Sequence, residues 1–211
     1  MVERFRSLYP HYDVLAKRNT PSWNDQTRAV IDVRLGAVPP RRFFTEAEWT
    51  TLVALCDRVI PQPERAEPVP ITPWIDARLQ EGHGSGTRFA DLPPGPEAWR
   101  HGLAAIDAEA ILRFGQRFHR LAAAEQDLIL TAIDAGKGRA EAWSSLPGRK
   151  FFRHLVLITV AEIYYAHPAA WSEIGFGGPA SPRGYLRLGM DRHDPWEAAE
   201  EDRGPVDEAR R

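Results

Sequence analysis

The chain is predicted to be all-α, with about five to six helices, long ordered Pro/Gly-rich loops, an extended N-terminal arm and a mobile charged C-terminal tail. Three observations carry that prediction. Apolar residues recur at spacings of three and four in several windows, the period of a buried helix face. No window shows the period-2 alternation of a half-buried strand, and no internal repeat is present. The helical windows stop at prolines and glycines, which punctuate a helix rather than continue it.

Residues 1–22 form the arm. Tyr9-Pro10 and Thr20-Pro21 break it, and Phe5, Leu8, Tyr12, Val14 and Leu15 make it sticky enough to dock. A helical domain over 23–190 follows. Its first helix is capped by Ser22 or Asn24, runs to Leu35 and stops at Gly36; Val30, Ile31, Val33 and Leu35 form a mixed apolar face. After Pro39-Pro40, Thr45-Glu46-Ala47-Glu48 is a capping box, with Phe44 and Trp49 placed as its hydrophobic staple. That helix turns Trp49, Leu52, Val53, Cys56, Val59 and Ile60 inward and ends at Pro61.

Residues 61–72 read as a loop. Thr72-Pro73 opens a short helix carrying Trp74, Ile75 and Leu79, and Gly82 to Gly86 forms a turn. From Glu97 a long helix places Trp99, Leu103, Ile106, Ala110 and Phe114 on one face and breaks at Gly115. The next helix covers about 123–135, with Leu128, Ile129, Ala132 and Ile133 inward. The most apolar helix covers about 148–166 and is expected at the centre, because it is apolar nearly all round. Residues 191–211 are dominated by charge and read as a tail, with Trp196 as its one plausible anchor.

Between these parts lies His167 to Gly189, HPAAWSEIGFGGPASPRGYLRLG. It holds three aromatics among five glycines and three prolines. A solvated linker has no use for the aromatics, and a long helix does not tolerate the Gly and Pro. The stretch therefore reads as an aromatic-anchored loop lying either on the chain's own helices or on another protein. Seven tryptophans and eighteen prolines in 211 residues suggest, in the same way, either core filling or surface meant to be covered.

The chemistry-bearing motifs are absent. There is no G-x-S-x-G elbow and no Glu followed by His three residues on, as a di-iron bundle requires. The net charge of -2 gives no footprint for nucleic acid. The single cysteine, Cys56, excludes an internal disulfide and a CxxCH haem attachment, and reads as a small buried hydrophobe. The seven histidines are scattered. His154 reads as a satisfied core histidine and Glu162 as a rim acid; with Tyr164 and Tyr165 they would line the pocket of a stand-alone helical enzyme or ligand-binding protein, the rival reading. Gly136-Lys137-Gly138 lacks the glycine run and the Ser/Thr of a phosphate loop. Arg41-Arg42 is followed at once by acidic, polar residues and is no export signal. No apolar run approaches the roughly 18 residues of a membrane span.

The 167–189 loop, together with RRFFTEAEWTTLVALCDRVIPQ and the segment Gly-Leu-Ala-Ala-Ile-Asp, resembles the gluconate 2-dehydrogenase subunit 3 family over most of residues 9–190. These are the small subunits of bacterial membrane-bound flavin dehydrogenases. The resemblance implies a non-catalytic subunit that binds and stabilises a large FAD-containing subunit of the glucose-methanol-choline oxidoreductase type. That subunit oxidises a sugar or sugar acid and passes electrons to a cytochrome c subunit or a quinone. No catalytic, cofactor-binding or metal residue carries over to this chain. The expected partner-binding residues are Trp171, Glu173, Phe176, Pro179, Arg183, Tyr185 and Arg187. A transient chaperone of the flavoprotein is the further alternative. No leader is seen, so a cytoplasmic location is expected, with periplasmic co-export beside the partner as the alternative.

Overall fold

The computed structural model describes residues 7–63, 65–82, 89–182, 184 and 194–199. Among them every regular element is helical and none is a strand. In chain order the helices are α1 (Asp25–Gly36), α2 (Glu46–Val59), α3 (Ile71–Gln80), α4 (Gly95–Phe114), α5 (Ala123–Asp134), α6 (Gly148–Lys150), α7 (Ile158–Ala166) and α8 (Pro168–Trp171). Short 3₁₀ turns cover Val14–Asn19, Phe118–Arg120 and Ser172–Ile174, and a π-helical stretch, Phe151–Leu157, joins α6 to α7. By its packing the chain divides into two compact units, residues 38–164 and residues 1–37 with 165–211.

The 38–164 unit is built on α2, α3, α4 and α5. The capping box is formed: the Glu48 N–H donates to Thr45 Oγ1, and the Thr45 N–H donates to Glu48 Oε2 at 2.8 Å. Ahead of it, Asp76 on α3 is fully buried and accepts backbone N–H groups from Arg42 (2.7 Å), Phe43 (3.0 Å) and Phe44 (2.9 Å). One carboxylate thus fixes the lead-in to α2 and neutralises donors that no helix would pair. The Arg41-Arg42 pair is part of this lead-in, with Arg41 ion-paired to Glu46 and Arg42 to Glu81. Arg100 on α4 donates to the Phe43 carbonyl at 2.9 Å and lies over the Phe43 ring.

The core of this unit contains Leu52, Leu55, Ile75, Leu103, Ile106, Phe118, Ile129, Ile133 and Phe151. Gly102 lets α4 approach closely, since a Cβ there would run into the Phe151 ring. Two further carboxylates knit the frame. Asp107 accepts the Phe118 N–H at 3.0 Å and the Thr51 hydroxyl at 3.2 Å. Glu109, fully buried, accepts from Arg113 and from the Arg139 N–H. The Arg58 guanidinium bridges α2 to α5 through both oxygens of Asp127.

Several expected positions fall elsewhere. On α2 the inward set is Thr51, Leu52, Leu55 and Cys56; Val53 lies about 200° around the helix from Thr51 and Leu55 and is exposed. On α5 the inward set is Gln126, Ile129, Leu130 and Ile133, so Leu128 is 61 % exposed for the same reason. The run from 148 to 166 is not one regular helix, because the π-helical stretch interrupts it. Nor is it apolar on every side: Arg153, His154, Ile158 and Glu162 are exposed. Pro73 is the third residue of α3 rather than its first. Part of the expected Gly82–Gly86 turn lies outside the described residues.

Cys56 is buried, and that burial pushes its thiol up to about 12. In the unfolded chain the thiol ionises near 9.0. The folded state therefore loses stability as pH rises past that value, because only the unfolded chain gains from ionisation. At pH 8 the native protein should resist maleimide labelling for hours, while urea-unfolded protein labels within minutes. Rapid native labelling would contradict the burial.

In the other unit Asn24 caps α1, accepting the Thr27 N–H at 2.8 Å. Ile31 is α1's buried contribution, while Val30 and Val33 are exposed rather than part of an inward face. The unit's core is Val14, Trp23, Ile31 and Trp171, with Tyr12, Leu15 and Leu35 packed against it. The arm thus docks through its 3₁₀ turn. No helix among the described residues is long and apolar enough to cross a membrane.

Candidate functional site

The loop after α7 is more ordered than its glycines and prolines suggest. His167 caps α8, its Nδ1 accepting the Ala169 N–H at 3.3 Å, and Pro168 stands at the first helical position, where it costs no hydrogen bond. The 3₁₀ turn 172–174 follows directly, and Gly175 ends it with φ +66°. Only glycine fits there comfortably. The backbone is left-handed, and a Cβ would also strike the ring of Tyr9. Gly178, at φ +64°, meets the Trp171 ring in the same way.

Trp171 organises the turn. Its indole Nε1 donates to the Tyr165 carbonyl at 2.7 Å, and its own carbonyl accepts the Phe176 N–H at 3.0 Å. The Phe176 ring stands edge-on to it at 5.3 Å. The arm ties down the rest. Ser7 Oγ donates to the Glu173 carbonyl at 2.7 Å, the Val14 N–H to Ser172 Oγ at 3.1 Å, and the Asn24 N–H to the Ser181 carbonyl at 2.9 Å. Tyr165 has its hydroxyl held above the usual tyrosine range, first by burial and second by the Glu173 charge.

These contacts sort the expected partner-binding residues. Trp171 is only 3 % exposed and packs on Val14, Trp23 and Ile31, so it serves its own unit's core and has almost no surface to offer. Phe176 is 46 % exposed. Glu173 and Pro179 are half-buried. Arg183, Tyr185 and Arg187 lie outside the described residues. Two residues outside the expected partner-binding set join Phe176: Ile174, which the sequence reading did not single out, and Leu8, which it placed among the sticky residues of the arm, are also exposed. The Ser7–Glu173 bond and the Tyr9–Gly175 contact place Leu8 beside the 173–176 turn. Three large apolar side chains are thus exposed on or beside a turn that the arm and Trp171 hold. A signal for Ile174 was available in the sequence, as an apolar residue between Glu173 and Gly175.

Three residues of the rival pocket have contacts of their own. His154 is exposed, with its ring against Phe89 at 4.7 Å; it is no core histidine. Glu162 pairs with Arg78 at 3.1 Å, and the Tyr164 hydroxyl accepts from Arg65 at 3.2 Å. Each side chain is engaged separately. Among the described residues a cleft of about 160 Å³ lies between Ile133, Trp143, Pro147 and Arg149. It is smaller than the roughly 300–1,000 Å³ of ordinary ligand sites. Among the described residues no group of three or more His, Cys, Asp or Glu is placed to hold a metal ion.

The model of the family "Gluconate 2-dehydrogenase subunit 3" matches residues 46–178, well over half of the 211, and the chain belongs to that family. It is thus related to a subunit of a dehydrogenase complex, which implies partner subunits. No curated protein and no solved structure matched the chain.

Proposed function

We propose that this chain is a non-catalytic small subunit that binds and stabilises a large FAD-containing dehydrogenase subunit acting on a sugar or sugar acid. The flavin belongs to the partner, and a cytochrome c subunit or a quinone takes the electrons. Family membership supports the subunit role. The observation that carries the binding role is the exposure of Phe176, Ile174 and Leu8 on or beside a turn held by the arm and by Trp171. Exposed aromatic and aliphatic groups on a rigid support lose little entropy on docking, which suits the centre of an interface. The pair acts in whichever compartment the partner reaches: the cytoplasm, or the periplasm if the two are exported together.

Co-expression with a large FAD-containing dehydrogenase subunit of the proposed type tests the proposal. Pull-down should recover a yellow complex at fixed stoichiometry. Phe176→Ala should weaken it by roughly 10- to 100-fold, the loss of about 1.5–3 kcal/mol of buried side chain. The thermal melt of the free subunit should barely move, since Phe176 is half in solvent already. Absence of any complex, or turnover by the purified subunit alone, would overturn the proposal.

A further inference from the structure

The charged segment after the loop is expected to be mobile, with Trp196 as its only anchor. The described part behaves differently. Asp194 is buried, and its carbonyl accepts the Glu197 N–H at 3.0 Å. Glu197 pairs with Lys17 at 2.6 Å, and Lys17 is fully buried, which is rare for lysine unless it is compensated. The same ammonium donates to the Gly177 carbonyl at 2.9 Å. One buried cation therefore joins the arm, the 194–199 segment and the residue immediately after Phe176.

We propose that residues 194–199 form a strap that sets the partner-binding turn, with Lys17 and Glu197 as its positioning residues. The inference rests on the docking reading given above. A half-exposed phenyl ring presents a defined shape only if the backbone on both sides is fixed. On the N-terminal side the Phe176 N–H is held by the Trp171 carbonyl. On the C-terminal side Lys17 holds the carbonyl of the next residue, Gly177, ahead of the Asn24 contact at Ser181. Lys17 is a good donor there because Glu197 keeps a compensating charge within contact. Removing that charge leaves an ammonium buried with weaker compensation, and the way to relieve it is to release the lysine, and with it the turn.

Hydrogen exchange on the full chain tests this. In Glu197→Gln the amides of Gly175 and Phe176 should exchange at least about tenfold faster, and in Glu197→Lys faster still. The amides of α1 should stay as protected as in the parent. Binding of the flavoprotein should fall in step with the loosened turn. Unchanged exchange at the turn in both variants would overturn the strap, as would an equal acceleration throughout α1, which would mark the pair as a general stability element. If the parent itself captures no flavoprotein, the proposed function fails, while the exchange comparison still decides the strap.

Discussion

Trp171→Ala should cost the 1–37/165–211 unit about 3–5 kcal/mol, the usual range for deleting a buried aromatic from a core. The indole is nearly inaccessible and fills the space between Val14, Trp23 and Ile31. Alanine leaves a void that the neighbours cannot fill readily, because Gly178 and the arm are already packed against the ring. It also leaves the Tyr165 carbonyl without its indole donor. Urea titration followed by circular dichroism should show an early loss of helix, and exchange at α1 should rise with it. The pairing with Phe176→Ala is informative: the two residues are five apart on one turn, yet one should lower stability and the other only affinity. A Trp171→Ala protein as stable as the parent would mean that the loop does not belong to this core.

The family resemblance, the all-α class and most helix ends were legible in the sequence, because capping chemistry and proline are local. Thr45 and Glu48 announce the start of α2 by themselves, and Gly115 its counterpart at the end of α4. What escaped was set by distant partners. Asp76, Glu109 and Lys17 look like surface charges in sequence, and each is fully buried where a partner from far along the chain meets it: the Phe44 N–H, the Arg139 N–H and Glu197. The tryptophan excess pointed equally to core and to interface. Three of the seven, Trp23, Trp99 and Trp171, are buried in packing, and the other four are half-buried. The partner-facing surface proposed above is a phenylalanine, an isoleucine and a leucine, a signal too ordinary to read from composition.

Asp76→Ala should destabilise the 38–164 unit by about 3–5 kcal/mol, since three backbone donors lose one acceptor and each orphaned group costs roughly 1–3 kcal/mol when water cannot reach it. The Phe44 N–H is the most deeply placed and should dominate, while Arg42 and Phe43 can recover part of their loss from solvent. Asp76→Asn should fall between parent and alanine: its carbonyl oxygen still accepts, but its amide hydrogens face the very donors the carboxylate accepted. The ordering Asp, then Asn, then Ala in urea midpoints distinguishes hydrogen-bond acceptance from simple volume, because Asn is nearly isosteric with Asp. If Asn and Asp proved equally stable, the charge would contribute nothing. If alanine matched them both, the lead-in to α2 would be held instead by the Thr45–Glu48 box and by Arg100 on Phe43. The expected loss should also release Arg41 and Arg42, so tryptic cleavage after Arg42 should accelerate in the alanine variant before global unfolding sets in.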